Sequence, residues 1–423
     1  MLIEFRVSNY RSFRDENVFS LVAAGRDKTH PENTIDDVAQ KGFQLLRSAV
    51  IYGANASGKT NLLRALDVVR TAVINSAKWQ KGDPIEGIAP FRLDAELQSQ
   101  PGRFEIVFVQ DGVRFEYGFV IDRQRVHEEW LFAYPKKVAQ TWFQRDASLG
   151  DEGWTWGANL KGQKKQIAEL TRDNALFLSV AAQLNHEQLS PVFQWFQDHL
   201  RPLFNTDFPL SLNTYTTQMA AQSDEHRAKI ATFLRAADFG IADIKISRQR
   251  FDETEYFKSL PEDLKERFLQ LSKDTEHLDV QTLHRTTEGQ TVHFSLDDES
   301  HGTRSFYALT GRLLDVLENG RILVVDELDT SLHPLLVRKI VELFHSPEFN
   351  KKNAQLIFNT HDTSLLDPNL FRRDQIWFTE KDRDGASHLY PLSDFKPRKD
   401  EALERGYLAG RYRALPFIGR LEF

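Results

Sequence analysis

The sequence predicts an α/β protein: a domain of mixed sheets and helices, discontinuous in sequence, that carries a mainly helical insert lobe. Three observations predict it. An apolar run at Ser48 to Tyr52 leads through a glycine-containing loop into helical spacing. Residues 163–273 then show mostly helix-like spacing, with two short β-rich pieces, 241–247 and 290–296, bracketing the last helix. Strand–helix alternation returns from Ile322 onward. Residues 1–160 are therefore expected to form the N-terminal half of the main domain, 161–285 the insert and 286–423 the C-terminal half.

Each element has its own reason. Leu2 to Val7 alternates apolar and polar residues and reads as a strand. Phe104 to Val109 and Phe115 to Ile121 are β-rich and joined by Asp111-Gly112, a hairpin signal. Helical spacing follows Lys59 and recurs over 163–204, 217–237 and 253–273. In the last third, 322–325, 354–359, 375–379 and 387–391 read as strands and 333–345 as a helix.

Composition bounds the function. Hydrophobic residues at 41% and charged residues at 27% exclude a disordered, collagen-like or membrane-spanning chain. The length, 423 residues, favours two or three units. Lys and Arg total 54 against 61 Asp and Glu, a net charge of -7. Such a chain does not coat nucleic acid non-specifically, although a local basic groove stays open. With no cysteine there is no disulfide, thiolate metal site or cysteine nucleophile. The opening residues carry Glu4, Arg6 and Arg11 and lack the apolar stretch of a signal peptide. A cytoplasmic location without a membrane partner is expected.

The chemistry concentrates in two motifs. Gly53-Ala54-Asn55-Ala56-Ser57-Gly58-Lys59-Thr60 matches G-x-x-x-x-G-K-[ST] between an expected strand and helix. Its glycines let the backbone curl so that N–H groups face phosphate oxygens, and the helix N-terminus adds positive potential. Lys59 is expected to reach the β- and γ-phosphates of ATP, and Thr60 to place its hydroxyl on Mg²⁺. Ile322-Leu323-Val324-Val325-Asp326-Glu327 puts two carboxylates at a strand end. Asp326 is the expected Mg²⁺ ligand, and Glu327 the group that orients and deprotonates the attacking water.

Neighbouring segments add a resemblance. Ser300-His301-Gly302-Thr303 precedes a helical stretch, Leu328-Asp329-Thr330-Ser331-Leu332-His333-Pro334 follows Glu327, and a strand ends in Asn359-Thr360-His361-Asp362. With Asn9-Tyr10-Arg11-Ser12-Phe13, these resemble an ABC-class AAA ATPase of the SMC/RecF/OLD type. The closing Gly406-Tyr407-Leu408-Ala409-Gly410-Arg411-Tyr412 resembles the end of AAA family ATPases of abortive-infection and other anti-phage defence operons. The resemblance covers roughly 1–135 and 285–423. It implies an ABC-type ATPase head that works as a homodimer or a higher even-numbered oligomer. Ser300 and Gly302 would contact the γ-phosphate held by the other subunit, Asp329 would link the two sites, and His361 would sense the γ-phosphate. Arg11 and Asn61 join the nucleotide-binding set of Gly53, Asn55, Ala56, Ser57, Gly58, Lys59 and Thr60. The signature reads Ser-His-Gly-Thr, a departure from the transporter Leu-Ser-Gly-Gly-Gln. Neither Gln110 nor Gln183 has the context of a Q-loop glutamine.

The resemblance further implies a sensor or regulator of anti-phage defence controlling a separate effector protein, a nuclease. Two alternatives stay open: a RecF-like DNA repair ATPase, with nucleic acid as partner, and a static ATP-bound assembly scaffold. Asp382 and Asp384 suggest a metal-binding nuclease element but read better as a turn closed by Gly385. His333 is expected to shape the start of the helix that follows Pro334.

Overall fold

The computed structural model describes residues 1–204, 210–237, 239–250, 261–262, 264–265, 276–398 and 401–416. The chain divides into two compact units. One is Met1–Phe204 with Val316–Asp329 and Val337–Phe423; the other is Asn205–Asp315 with Thr330–Leu336.

The first unit contains two large sheets. One is antiparallel and seven-stranded, in the order β10-β9-β8-β7-β6-β1-β2. Its strands are β1 (Leu2–Ser8), β2 (Asn17–Ser20), β6 (Gly102–Gln110), β7 (Val113–Ile121), β8 (Val126–Tyr134), β9 (Gln140–Asp146) and β10 (Trp154–Trp156). The expected hairpin is β6–β7. It turns on Asp111 and Gly112, both at positive φ (50° and 75°), as a tight two-residue turn requires. A short ladder joins β3 (Thr34–Ile35) to β4 (Leu45–Leu46).

The second sheet, β11-β15-β16-β5-β17-β18, positions the site. It comprises β5 (Ser48–Gly53), β11 (Leu200–Leu203), β15 (Ile322–Val325), β16 (Gln355–Asn359), β17 (Ile376–Lys381) and β18 (Ser387–Pro391). All pairings are parallel except β17–β18. β5, β15 and β16 are buried at every position, which explains why they read as continuous apolar runs without alternation. Gln355 ties the two sheets together. Its side chain accepts from the Leu2 N–H at 2.7 Å and donates to the Leu2 and Leu46 carbonyls.

Helix α1 (Lys59–Asn75) buries Leu62, Leu63, Leu66, Val69 and Val73. It packs against α3 (Phe177–Gln183) and α4 (Ser190–Asp198), which follow α2 (Lys164–Leu170). Residues 161–204, expected in the insert, thus lie in the first unit. Helical spacing identifies a helix but not the core that receives it. Here the anchor is Glu129 on β8, fully buried, which accepts from the Phe177 and Leu178 N–H groups at 2.6 and 3.0 Å.

The second unit pairs helices with a three-stranded antiparallel sheet, β12-β13-β14. Its elements include α5 (Leu210–Gln222), α6 (Asp224–Ala236), β12 (Ile241–Arg250), β13 (Glu276–Arg285) and β14 (Thr291–Ser295), and α7 (His301–Asn319) begins in it. β12 and β14 match the two β-rich pieces expected; β13 was not expected. The helix expected over 253–273 falls almost wholly outside the described residues. α6 starts at Ser223, whose hydroxyl accepts from the His226 N–H, and buries Ile230 and Leu234. α5 and α7 approach closely at Gly311, where an added Cβ would lie 2.5 Å from Thr216 Oγ1. Two further α-helices are α8 (Pro334–His345) and α9 (Leu403–Leu408). Among the described residues no helix is long and apolar enough to cross a membrane.

Candidate nucleotide-binding site

The parallel register aligns the carboxyl ends of the central strands. Val325 pairs with Phe358, Asn359 with Ile51, and Thr379 with Gly53. Whatever follows β5, β15 and β16 therefore emerges at one sheet edge, the usual ligand edge of such sheets.

The loop after β5 is held from several sides. Gly53, Ala56 and Gly58 have φ of 155°, 62° and 117°. A Cβ on Gly53 would sit 2.4 Å from the Thr379 carbonyl oxygen, and one on Gly58 would sit 2.5 Å from Ser387 Oγ. Ser57 Oγ is 2.6 Å from Thr379 Oγ1, and Ser387 Oγ donates to the Ser57 carbonyl at 2.6 Å. Asn61 donates to Ser12 Oγ at 2.8 Å. Asn55 and Ala56 remain exposed at the loop's tip. Arg11 bonds to the Tyr10 hydroxyl through its side chain and to the Ala89 carbonyl through its N–H. Ser12 of the same segment contacts Asn61 of the expected nucleotide-binding set.

Lys59 is only 6% exposed. Its ammonium donates to the Gly53 and Ala54 carbonyls at 2.8 and 3.1 Å. Burial lowers its pKa to about 8, against the upward pull of Glu327, Asp326 and Asp329. A lysine held this way is a cation short of negative charge, which phosphates supply.

Thr60 Oγ1 donates to Asp326 Oδ1 at 2.8 Å although the two are 266 positions apart. Asp326 Oδ1 also accepts from Asn359 Nδ2 at 2.6 Å, and the Glu327 N–H donates to Asn359 Oδ1. Glu327 itself has φ 55°. Asp329 accepts from the His361 N–H at 3.3 Å, while its buried Oδ1 has no partner among the described residues. His361 is exposed. A hydroxyl and a carboxylate converging here are hard oxygen donors of the kind Mg²⁺ takes, so Thr60 and Asp326 fit that ion. Sequence reasoning missed Asn359: a lone asparagine at a strand end carries no signal of its own.

In the second unit, Ser300 Oγ accepts from the Thr303 N–H at 3.1 Å and lies 2.8 Å from Thr303 Oγ1. Ser300 thus caps α7. A Cβ on Gly302 would lie 2.9 Å from the Ser331 carbonyl oxygen. His333 Nδ1 accepts from the Leu335 N–H, capping the start of α8.

The closing segment packs at the strand ends. Tyr407 and Tyr412 stack on Phe378 at 5.5 and 5.8 Å, and Tyr52 donates to the Asp362 carbonyl. Asp382 accepts from the Asp384 and Ala386 N–H groups and pairs with His388, while Arg14 faces both acids. Those contacts are the work of a turn. Among the described residues no group of three or more His, Asp or Glu could hold a metal ion.

The family described as "AAA domain, putative AbiEii toxin, Type IV TA system" matches residues 48–367. The chain belongs to this AAA family. The match spans the loop at Gly53, the carboxylates after β15 and His361. The fold is mixed α/β, with the loop after β5 and the carboxylates after β15 at the same edge of one sheet, on either side of β16. No curated protein matches. Among solved structures, an Smc head bound to the C-winged helix domain of ScpA shares 13% identity, with a TM-score of 0.47, covering 92% of this chain and 97% of that one. The Thermotoga maritima SMC head domain gives 12% and 0.41, covering 92% and 98%. A Pyrococcus furiosus Smc head with an extended coiled coil, bound to the C-terminal domain of ScpA, gives 13% and 0.40, covering 97% and 99%.

Proposed function

We propose that this AAA chain binds ATP with Mg²⁺, hydrolyses it, and uses the cycle as a switch. The observation that carries the reading is the meeting of Thr60 and Asp326 at 2.8 Å at the carboxyl edge of the sheet, beyond the ends of β5 and β15 with β16 between them, beside Lys59 and Glu327. The loop N–H groups and Lys59 bind the phosphates, and Thr60 and Asp326 hold Mg²⁺. The chemistry Mg²⁺ supplies when bound is neutralisation of charge on the β- and γ-phosphate oxygens. Glu327 orients a water and takes its proton as the water attacks the γ-phosphorus, while His361 senses the γ-phosphate. Lys59 follows the charge that develops on the transferring group.

The ABC-type reading adds a head-to-tail homodimer, in which Ser300, Gly302 and Asp329 serve the partner's nucleotide. Ser300 as helix cap supports it, because a capped N-terminus presents positive potential to an anion. The family description names a toxin system, which supports a defence role over DNA repair. In that role the chain is the sensor or regulator of a separate effector, a nuclease.

Mixing two inactive variants tests the assembly. Ser300→Arg and Lys59→Ala should each be inactive alone. In a mixed dimer one composite site carries both lesions and the other neither, so ATPase activity should partly return. No return at any ratio, with both variants folded and dimeric, contradicts a shared site.

A further inference from the structure

Asn359 makes more contacts with the catalytic turn than any role so far gives it. It ends β16, is fully buried, and both ends of its amide are used. Nδ2 donates to Asp326 Oδ1 at 2.6 Å and Oδ1 accepts from the Glu327 N–H. Its backbone carbonyl accepts from the Leu328 N–H at 3.2 Å. Three consecutive residues after β15 therefore rest on one asparagine. The amide orientation is fixed by its partners: reversed, an NH₂ would face an N–H and an oxygen would face a carboxylate.

The energetic need is specific. Glu327 has φ 55°, a backbone region that a glutamate rarely adopts without outside support. A buried side-chain acceptor on its N–H provides that support. The same amide fixes Asp326 so that Oδ1 receives two donors, Thr60 Oγ1 and Asn359 Nδ2. An apolar side chain could fill the space but could do neither. Lys59, Asp326, Glu327 and Asp329 bring charge to this turn. None of them could replace a group that donates at one end and accepts at the other.

We propose that Asn359 is a positioning residue: a single amide sets the carboxylate that would hold the metal and the backbone turn that aims Glu327. Asn359 has both ends of its amide engaged by Asp326 and Glu327. It acts through Asp326 and Glu327, and the inference rests on the ATPase reading of the same site.

The test compares wild type with Asn359→Leu, which keeps the branching at Cγ, is bulkier, and removes both side-chain bonds. Asn359→Ser, smaller and free of strain, is read in parallel in case the leucine variant does not fold. Four readouts are taken: thermal unfolding, ATP binding in EDTA, Mn²⁺ binding in the presence of a non-hydrolysable ATP analogue, and steady-state ATPase. The expected result is unchanged metal-free ATP binding with Mn²⁺ affinity weakened by about 10–100-fold, the usual cost of losing a group that orients a metal ligand. Where wild type turns over, kcat should fall by a similar factor with KM for ATP little changed. Unchanged Mn²⁺ affinity and kcat overturn the proposal. So does equal loss of metal-free ATP binding and thermal stability, which would mark a purely structural residue. A wild type that binds Mn²⁺–nucleotide but never hydrolyses it defeats the ATPase reading instead, and the Mn²⁺ comparison still judges Asn359.

Discussion

Replacing Gly58 with alanine tests how tightly the phosphate loop is built. The residue has φ 117° and precedes the first residue of α1. An alanine there stores about 1–3 kcal/mol of backbone strain. Its Cβ would also lie 2.5 Å from Ser387 Oγ and 2.9 Å from Ser387 Cβ. Ser387 cannot simply turn away, because it is buried and donates to the Ser57 carbonyl at 2.6 Å. Losing that bond costs about 1–3 kcal/mol more if the carbonyl is left unpaired. The sum, roughly 2–6 kcal/mol, corresponds to a melting temperature lower by roughly 3–10 °C, at about 2 cal/mol/K of unfolding entropy per residue over the roughly 300 residues of the first unit. If the loop yields instead, its N–H groups no longer converge and ATP affinity falls. Gly112→Ala is the control: its φ is 75° but nothing lies within 4 Å of the added Cβ. It should cost only about 1 kcal/mol and leave ATP binding alone. Thermal unfolding and calorimetric ATP titration read both. A Gly58→Ala protein that melts within about 2 °C of wild type and binds ATP equally well would refute the reasoning.

Two predictions follow from Lys59. Its folded pKa of about 8 lies below its ordinary value of 10.5, so between those values the unfolded chain holds more protons. The stability penalty of burying the ammonium is therefore relieved as pH rises through that window and fully present below about pH 8. ATP phosphates restore the charge, so binding at pH 8.5 should take up on the order of half a proton or more; titrations in buffers of different ionisation enthalpy measure it, and no uptake contradicts the pairing.

The two motifs were legible because the chemistry proposed for them demands fixed spacing: Gly53 to Thr60 cannot be rearranged and still form a phosphate loop, nor Asp326-Glu327 and still set two carboxylates at one strand end. Asn359 was not legible, since its meaning lies in a pairing with residues more than thirty positions away. The hairpin at Asp111-Gly112 was visible, but four further strands of its sheet were not: β2, β8, β9 and β10. In β9, Gln140, Thr141, Gln144, Arg145 and Asp146 dilute the apolar signal of Trp142 and Phe143. β13, Glu-His-Leu-Asp-Val-Gln-Thr-Leu-His-Arg, was hidden for the same reason and is specified by its pairing with β12 and β14. Helices α2 to α4 were recognised as helices but assigned to the insert. The buried Glu129 that holds α3 to the first unit is an acid in a strand, a position that sequence reading assigns to solvent.

The central claim is that Glu327 activates water beside a nucleotide held by Lys59, Thr60 and Asp326. The most direct measurement is ATP binding and steady-state hydrolysis by Glu327→Gln at saturating ATP and Mg²⁺. The substitution keeps the side chain's shape and removes its basicity. The account predicts ATP affinity close to wild type, turnover reduced by ~10²–10⁴-fold, and accumulation of an ATP-loaded dimer. Turnover at the wild-type rate would contradict it and place the activating base elsewhere.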